Sequence, residues 1–437
     1  QFPVRFLSRL NHEYGYPVAN FLYPGFMYLG EIPKFLGFGF VDSIKIILGI
    51  SIILSGIFTY FWLNKLFGRW PAFIGSLFYI YAPYHLFDLY KRGSVGEIVA
   101  LAVVPFILWM IERRNLVFTS LSIALLILSH NSLALLFMPL LFTYMGLNVY
   151  VSKHKKELSF LYLTAVAFGF GLPAFFWIPA IFDLQYTIFS KISVSEWKSY
   201  FTQIDLIGVS TLVVFLIVLG SFLSKKIEVG KHRLTALFFL IGIFSLFLST
   251  QLSAFLWNVL PVSFIQFPFR MLSITILCAA FLVTSLLETV PKRPQIILGA
   301  LLVLSVFLDS IAFMKPSVYL DKGDDFYATN MDTTTVKNEY TPKWVKVMPT
   351  QRSDQLIELI SGEGIVSNIS SNTKETSFDI QMEEDGIVRI HKVYFPGWTA
   401  NLDGQQTKIL YENERGVMDV RIPRGIHSAS FVFGETQ

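Results

Sequence analysis

The 437 residues hold a single cysteine, Cys278, only seven histidines, and little charge: 15% of positions are Asp, Glu, Lys or Arg. Each scarcity excludes something. One thiol cannot form an internal disulfide, and within its apolar run Cys278 is expected to be a small buried hydrophobe. The histidines form no zinc-type cluster. A soluble domain is nearer a quarter charged, so an ordinary cytosolic enzyme is a poor match. The net charge of +4 is scattered, with no basic tract of the kind that binds nucleic acid. What is abundant is apolar: 53% hydrophobic residues, with 43 phenylalanines suited to lipid contact and helix packing. The composition is that of a polytopic membrane protein with a polar appendage.

About ten apolar stretches approach spanning length. They run over 43–64, 70–87, 95–112, 116–130, 132–151, 159–181, 204–223, 234–250, 270–288 and 295–314. The links between them alternate in charge. One set carries Lys65 and Arg69, then Arg113 and Arg114, then Lys153, Lys155 and Lys156, then Lys225, Lys226, Lys231 and Arg233, then Lys292 and Arg293. The other carries fewer cations: Lys91 and Arg92, none in "SHN", Lys191 and Lys198, and Arg270. Basic links stay cytoplasmic. The first set is therefore expected inside, and the second set, with residues 1–42 and 315–437, outside the plasma membrane. The chain begins at Gln1 without Met, so a segment upstream is expected.

Four regions follow: a first extracytoplasmic loop (1–42), a transmembrane helical domain (43–314), an extracytoplasmic linker (315–355) and an antiparallel β-sandwich (356–437). The last rests on short alternating runs. "GVMDVRIP" places Met418, Val420 and Ile422 on one face, and "GIHSASFVF" does so for Ala429, Phe431 and Phe433. Asp403-Gly404 is a hairpin signal. His391 and His427 fall on separate strands without paired carboxylates and read as solvated positions. Asn368-Ile369-Ser370 matches a glycosylation acceptor pattern.

The polar residues of interest gather at the outer ends of the spans. Ser94-Val95-Gly96-Glu97 reads as a capping box, with Glu97 reaching back to the Ser94 backbone. That role needs no substrate, and it leaves Asp88 and Arg92 unexplained. These two are four apart and able to pair. A tight turn at Gly93 would bring Arg92 to Glu97. His130 in "SHN" suits either a helix end or a polar site, with Asn131 capping the next helix. "IQFPFR" supplies Gln266, Pro268 for a first helical turn, and Arg270. In the first loop, His12, Glu13, Tyr14, Tyr16 and Asn20 surround "YGYP" and read as turn residues and interface aromatics, with Glu13 the one acid. Together Arg92, Arg270, His130, Glu97, Asp88 and Glu13 outline an outward-facing polar cavity.

The ordered segments "GYPVANFLYP", "LYKRGSVGE", "LSHNSLALLF", "FIQFPFRMLS", "NEYTPKW" and "YFPGWTANLDG…VRIPRGIHSASFVF" resemble prokaryotic membrane proteins with a 6-pyruvoyl-tetrahydropterin synthase-related domain. That family is similar in turn to the GT-C glycosyltransferases. The resemblance implies transfer of a sugar from a polyprenyl phosphate to an envelope polymer or glycolipid, with the lipid bilayer as the other partner. It implies a catalytic acid in a first outer loop, here upstream of Gln1. Glu13, Asp88 and Glu97 are the acids to which catalysis is assigned within the chain. Arg92, His130, Gln266 and Arg270 would bind substrate, and Asp88 with Glu97 would hold Mg or Mn. A transporter or flippase for a lipid-linked or anionic solute, and a non-catalytic envelope protein, are the alternatives.

Overall fold

The computed structural model describes residues 3–189, 197–224, 232–259, 265–335 and 337–434. Lys191, Lys225, Lys226 and Lys231, which entered the charge pattern of the links, lie outside the described residues. The chain folds into two compact units. One comprises Tyr23–Pro173 and Val194–Asp324; the other comprises Gln1–Leu22, Ala174–Ser193 and Asp325–Gln437.

The first unit is helical. Among the described residues five helices are long and apolar enough to cross a membrane: Phe40–Phe67, Val95–Glu112, Asn131–Val151, Pro268–Glu288 and Lys292–Phe313. Among the described residues of both units, counting the pairs Lys155–Gly171 with Ala174–Tyr186 and Arg233–Ser249 with Gln251–Trp257 as one bent span each gives up to seven. Ten apolar stretches thus do not become ten full spans. The stretch at 116–130 is the 14-residue helix Leu116–Ser129. At 1.5 Å per residue it reaches about 21 Å, short of a hydrocarbon core of about 30 Å. The stretch at 70–87 breaks into Arg69–Ile80 and Pro83–Leu86, because Pro83 supplies no N–H to continue the first helix.

Helix Pro268–Glu288 sits at the centre of this unit, 89% of its most apolar window buried, whereas Lys292–Phe313 is 22% buried and turns its apolar side chains outward. Small residues allow that central position. A Cβ on Gly75 would stand 2.0 Å from Thr284 Oγ1 and 2.9 Å from the Ala280 carbonyl, and one on Gly242 would stand 2.8 Å from Cys278 Cβ. Two neighbouring helices therefore approach it closely, the usual device where lipid provides no hydrophobic drive between helices. Cys278 is fully buried here. Hydroxyls on the central helix are satisfied locally or between helices: Thr284 donates to the Ala280 carbonyl (2.8 Å), and Thr235 pairs with Ser285 (2.8 Å).

The other unit is built on two antiparallel sheets. Strands β1 (Ile357–Ser361), β4 (Gly386–Val393) and β7 (Val417–Ile422) form one, in the order β1-β4-β7. Strands β2 (Gly364–Ser371), β3 (Glu375–Met382), β8 (Gly425–Phe433), β5 (Trp398–Leu402) and β6 (Gln405–Thr407) form the second, in the order β2-β3-β8-β5-β6. The Asp403-Gly404 signal is realised. Both residues have positive φ, and Leu402 pairs with Gln405 across the two-residue turn. Met418, Val420, Ile422, Ala429, Phe431 and Phe433 are all buried.

Residues near the N-terminus belong to the core of this unit, not to a loop of interface aromatics. Tyr14 packs with Val393 and Val417, and Tyr16 packs with Leu10 and Val18. Gly15, at φ 85°, lies against Phe6, which meets Trp398 edge-on at 5.6 Å. Asn20 is buried, accepting from Arg5 (2.9 Å) and donating to Asp183 (2.7 Å). A buried Arg needs such partners, and nothing in the local spacing marks Arg5 or Asp183.

The two strand histidines also differ from expectation, since each has a carboxylate. His391 is buried with Nε2 2.8 Å from Glu358, its β1 neighbour, and His427 Nδ1 is 2.6 Å from Asp403. Asn368, of the glycosylation pattern, donates to Asp379 on β3 (2.8 Å).

Two measurements test these assignments. Gly75→Ala should lower the thermal midpoint of the detergent-solubilised protein, whereas Gly146→Ala, where an added Cβ meets nothing within 4 Å, should leave it unchanged or raise it. Its hydrogen bond to Asp403 raises the His427 imidazole above its ordinary value, and the same bond lowers Asp403. The stability that this pair adds is lost as pH rises through the raised His427 value and as pH falls through the lowered Asp403 value. Asp403→Asn should return the His427 NMR titration to the ordinary histidine range, and an unmoved midpoint would remove the pair as its cause.

Candidate functional site

The site is assembled within the helical unit from three segments. The first is Pro83–Leu86 followed by a wide π-type turn, Phe87–Arg92, ended by Gly93 in the left-handed region at φ 59°. The Ser94 N–H returns to the Asp88 carbonyl (3.1 Å), and the chain enters the Val95–Glu112 helix. This reversal brings Arg92 onto the first turn of that helix, as the glycine suggested. The second segment is the break between Leu116–Ser129 and Asn131–Val151. The third is "IQFPFR". Gln266 takes φ 65°, and Pro268 opens the short helical turn Pro268–Met271.

Glu97 is at the centre and is fully buried. Its Oε1 accepts from Arg270 Nε (2.8 Å) and is ion-paired with Arg92 Nη1 (2.8 Å), and its Oε2 accepts from the Tyr84 hydroxyl (3.1 Å). The capping-box reading is therefore corrected. Ser94 holds the N-cap position but makes no side-chain cap bond, and the Glu97 carboxylate is spent on cations. The physical reason is charge. Two guanidiniums buried at a helix end cost far more without a counter-ion than one unsatisfied backbone N–H. Asp88, also fully buried, accepts from Arg92, so that one guanidinium joins both acids.

Arg270 is held from its other side by the Ile265 carbonyl (2.8 Å) and by Gln266 Oε1 (2.9 Å). Both arginines lie over aromatic rings: Arg270 is 4.9 Å from the Phe267 centroid and Arg92 is 5.0 Å from that of Phe269. The two rings stack on each other at 5.2 Å. Planar guanidiniums stack in this way, and lysines would not. The Arg92 side chain keeps 18% of its surface exposed, against 6% for Arg270 and none for Glu97. A ligand would meet Arg92 first.

His130 caps the Asn131–Val151 helix in the place expected for Asn131, its Nδ1 accepting the Leu133 N–H (3.2 Å). In the neutral ring the proton then resides on Nε2, which faces Glu97 Oε1 at 3.6 Å. Tyr23 lies against the His130 ring at 4.5 Å. Burial, and next the Glu97 charge, push its phenol up to about 12, so it remains a protonated donor. Gly96 admits this ring. A Cβ there would stand 2.2 Å from Tyr23 Cε2 and 2.5 Å from the Ser129 carbonyl.

Asp88, Arg92, Glu97, His130, Gln266 and Arg270, named from the sequence, thus converge. Glu13 belongs to the other compact unit, at φ 68°, with its carboxylate 2.8 Å from Arg352. Sequence reasoning missed Tyr84, Tyr23, Phe267 and Phe269. The spacing of four linking Tyr84, Asp88 and Arg92 could have found the first. The others are aromatic residues in a chain rich in them and carry no local signal.

The Mg or Mn reading does not fit. A hard divalent ion needs several oxygen ligands. Among the described residues no three His, Cys, Asp or Glu side chains are grouped to hold a metal. Asp88 and Glu97 already hold two guanidiniums, whose charge would repel a second cation.

The family described as the 6-pyruvoyl-tetrahydropterin synthase-related domain, a membrane protein family, matches residues 27–317, and the chain belongs to it. The match contains every converging residue except Tyr23. No curated protein matches the chain.

Removing the central charge tests the geometry. Glu97→Gln should destabilise the solubilised protein by about 3–5 kcal/mol, because two buried guanidiniums lose their counter-ion. Combining it with Arg270→Gln should recover part of that loss in a double-mutant cycle. Additive losses would mean that the pair is not coupled.

Proposed function

We propose that this membrane protein is a GT-C-type glycosyltransferase that moves a sugar from a polyprenyl-phosphate donor to a cell-envelope acceptor at the outer face of the membrane. The observation that carries the reading is the paired Arg92 and Arg270, fixed by buried Glu97 and backed by Phe267 and Phe269. Two preorganised guanidiniums beside an apolar helical domain suit a phosphate attached to a lipid. In the reaction the acceptor oxygen bonds to the sugar carbon and the bond from that carbon to the phosphate oxygen breaks. The charge that develops on the departing phosphate falls to the arginines. The acceptor's proton goes to a carboxylate other than Glu97, whose charge is committed to the two guanidiniums; Glu97 is a positioning residue. His130 and Gln266 orient the same cluster. The antiparallel β unit, read as a sandwich, offers surface to the envelope polymer.

A second reading, transport of a lipid-linked or anionic solute, is favoured by the two bent helix pairs, since broken helices line many transporter sites. One experiment separates the two. Membranes with the full-length protein are given radiolabelled polyprenyl-phosphate sugars, and both transfer to polymer and movement of intact donor across the bilayer are followed. Transfer that falls about 100-fold or more in Arg270→Ala and Arg92→Ala, at unchanged expression, supports the transferase. Movement without transfer supports the transporter, and neither activity with any donor overturns both.

A further inference from the structure

Asp88 is the member of the cluster to which the transferase reading gives no task. Its Oδ1 accepts from Arg92, while its buried Oδ2 has no hydrogen-bond partner among the described residues. The groups around it are Arg92 on its own turn, Tyr84 on the preceding turn and Glu97 on the following helix, with Tyr23, Arg270 and His130 beyond. Tyr84 donates to Glu97, so it does not serve Asp88. If ionised, Asp88 would carry a bare buried oxygen beside a second carboxylate, paying for desolvation and like-charge repulsion together. A proton on Oδ2 removes both costs. It supplies a donor toward Glu97, whose Oε2 takes only the Tyr84 hydroxyl and has a lone pair left. Arginine does not supply that proton, because guanidinium stays charged.

The charge count then changes. Arg92 and Arg270 contribute two positive charges and Glu97 one negative charge, which leaves one positive charge uncompensated. We propose that Asp88 is a neutral acid hydrogen-bonded to Glu97, and that the single remaining charge selects a singly charged ligand, a phosphodiester over a dianionic phosphomonoester. The ligand half rests on the reading of the arginines as a phosphate cradle; the proton half does not.

The test uses the full chain in nanodiscs of neutral lipid. Infrared difference spectra at neutral pH, Asp88→Asn against wild type, should show the carbonyl stretch of a protonated carboxylic acid in wild type alone. Its absence overturns the proton half, whatever the arginines bind. Binding of a dialkyl phosphate and a monoalkyl phosphate of equal chain length is then measured against pH in wild type, which needs no variant. The diester should bind about tenfold tighter at neutral pH, with little pH dependence. The monoester should gain affinity as pH falls through its second ionisation near about 6. Equal affinities, or a tighter dianion, overturn the selectivity. Binding of both that is unmoved by Arg92→Ala and Arg270→Ala overturns the phosphate cradle itself and leaves the infrared result standing.

Discussion

A carboxylate with no exposed surface, Glu97, holding two guanidiniums, is the constraint on which the helical unit depends. Each charge there would be prohibitively costly alone in an apolar surrounding. Together they fix three segments distant in sequence: the turn carrying Asp88 and Arg92, the start of Val95–Glu112, and the turn carrying Arg270. Most of the local geometry serves that meeting. Gly93 reverses the chain so that Arg92 reaches Glu97, Gly96 leaves room for Tyr23 beside His130, and Pro268 starts the turn that aims Arg270 inward.

Packing in the same unit follows from its solvent. Where lipid and side chain are equally apolar, close backbone approach and local hydroxyl bonds replace hydrophobic burial as the means of association. The small residues of Pro268–Glu288, with Gly75 and Gly242 on its neighbours, satisfy this and make that helix central. Arg270 is thereby held at the end of the most buried of the five spanning helices. The second unit solves a different problem with ordinary means: alternating strands, buried aromatic residues near the N-terminus, and paired histidines.

Much of the candidate site was legible because short-range rules suffice for it. The spacing of Asp88 and Arg92, the glycine after Arg92, and a cation following Pro268 each have a local reason. The pairing of Glu97 was not legible. A capping box and a buried counter-ion look alike in "SVGE", and only the arrival of Arg270, 173 residues later, distinguishes them. The same holds for His391 and Glu358, brought together by the β1–β4 register, and for Tyr14, whose core partners Val393 and Val417 follow much later in the chain.

Composition and periodicity by themselves determined the membrane class, the apolar helices, the antiparallel β region and most of the polar residues that matter. Those properties depend on transfer energies and on neighbours a few residues away. Tertiary structure alone decided how many helices are long enough to span, which charge answers which, and that two acids share two arginines, leaving Asp88 Oδ2 without a donor among the described residues. The reason is that span length is set by where helices break, and the state of a buried charge by every neighbour it meets. Both depend on contacts that no local pattern contains.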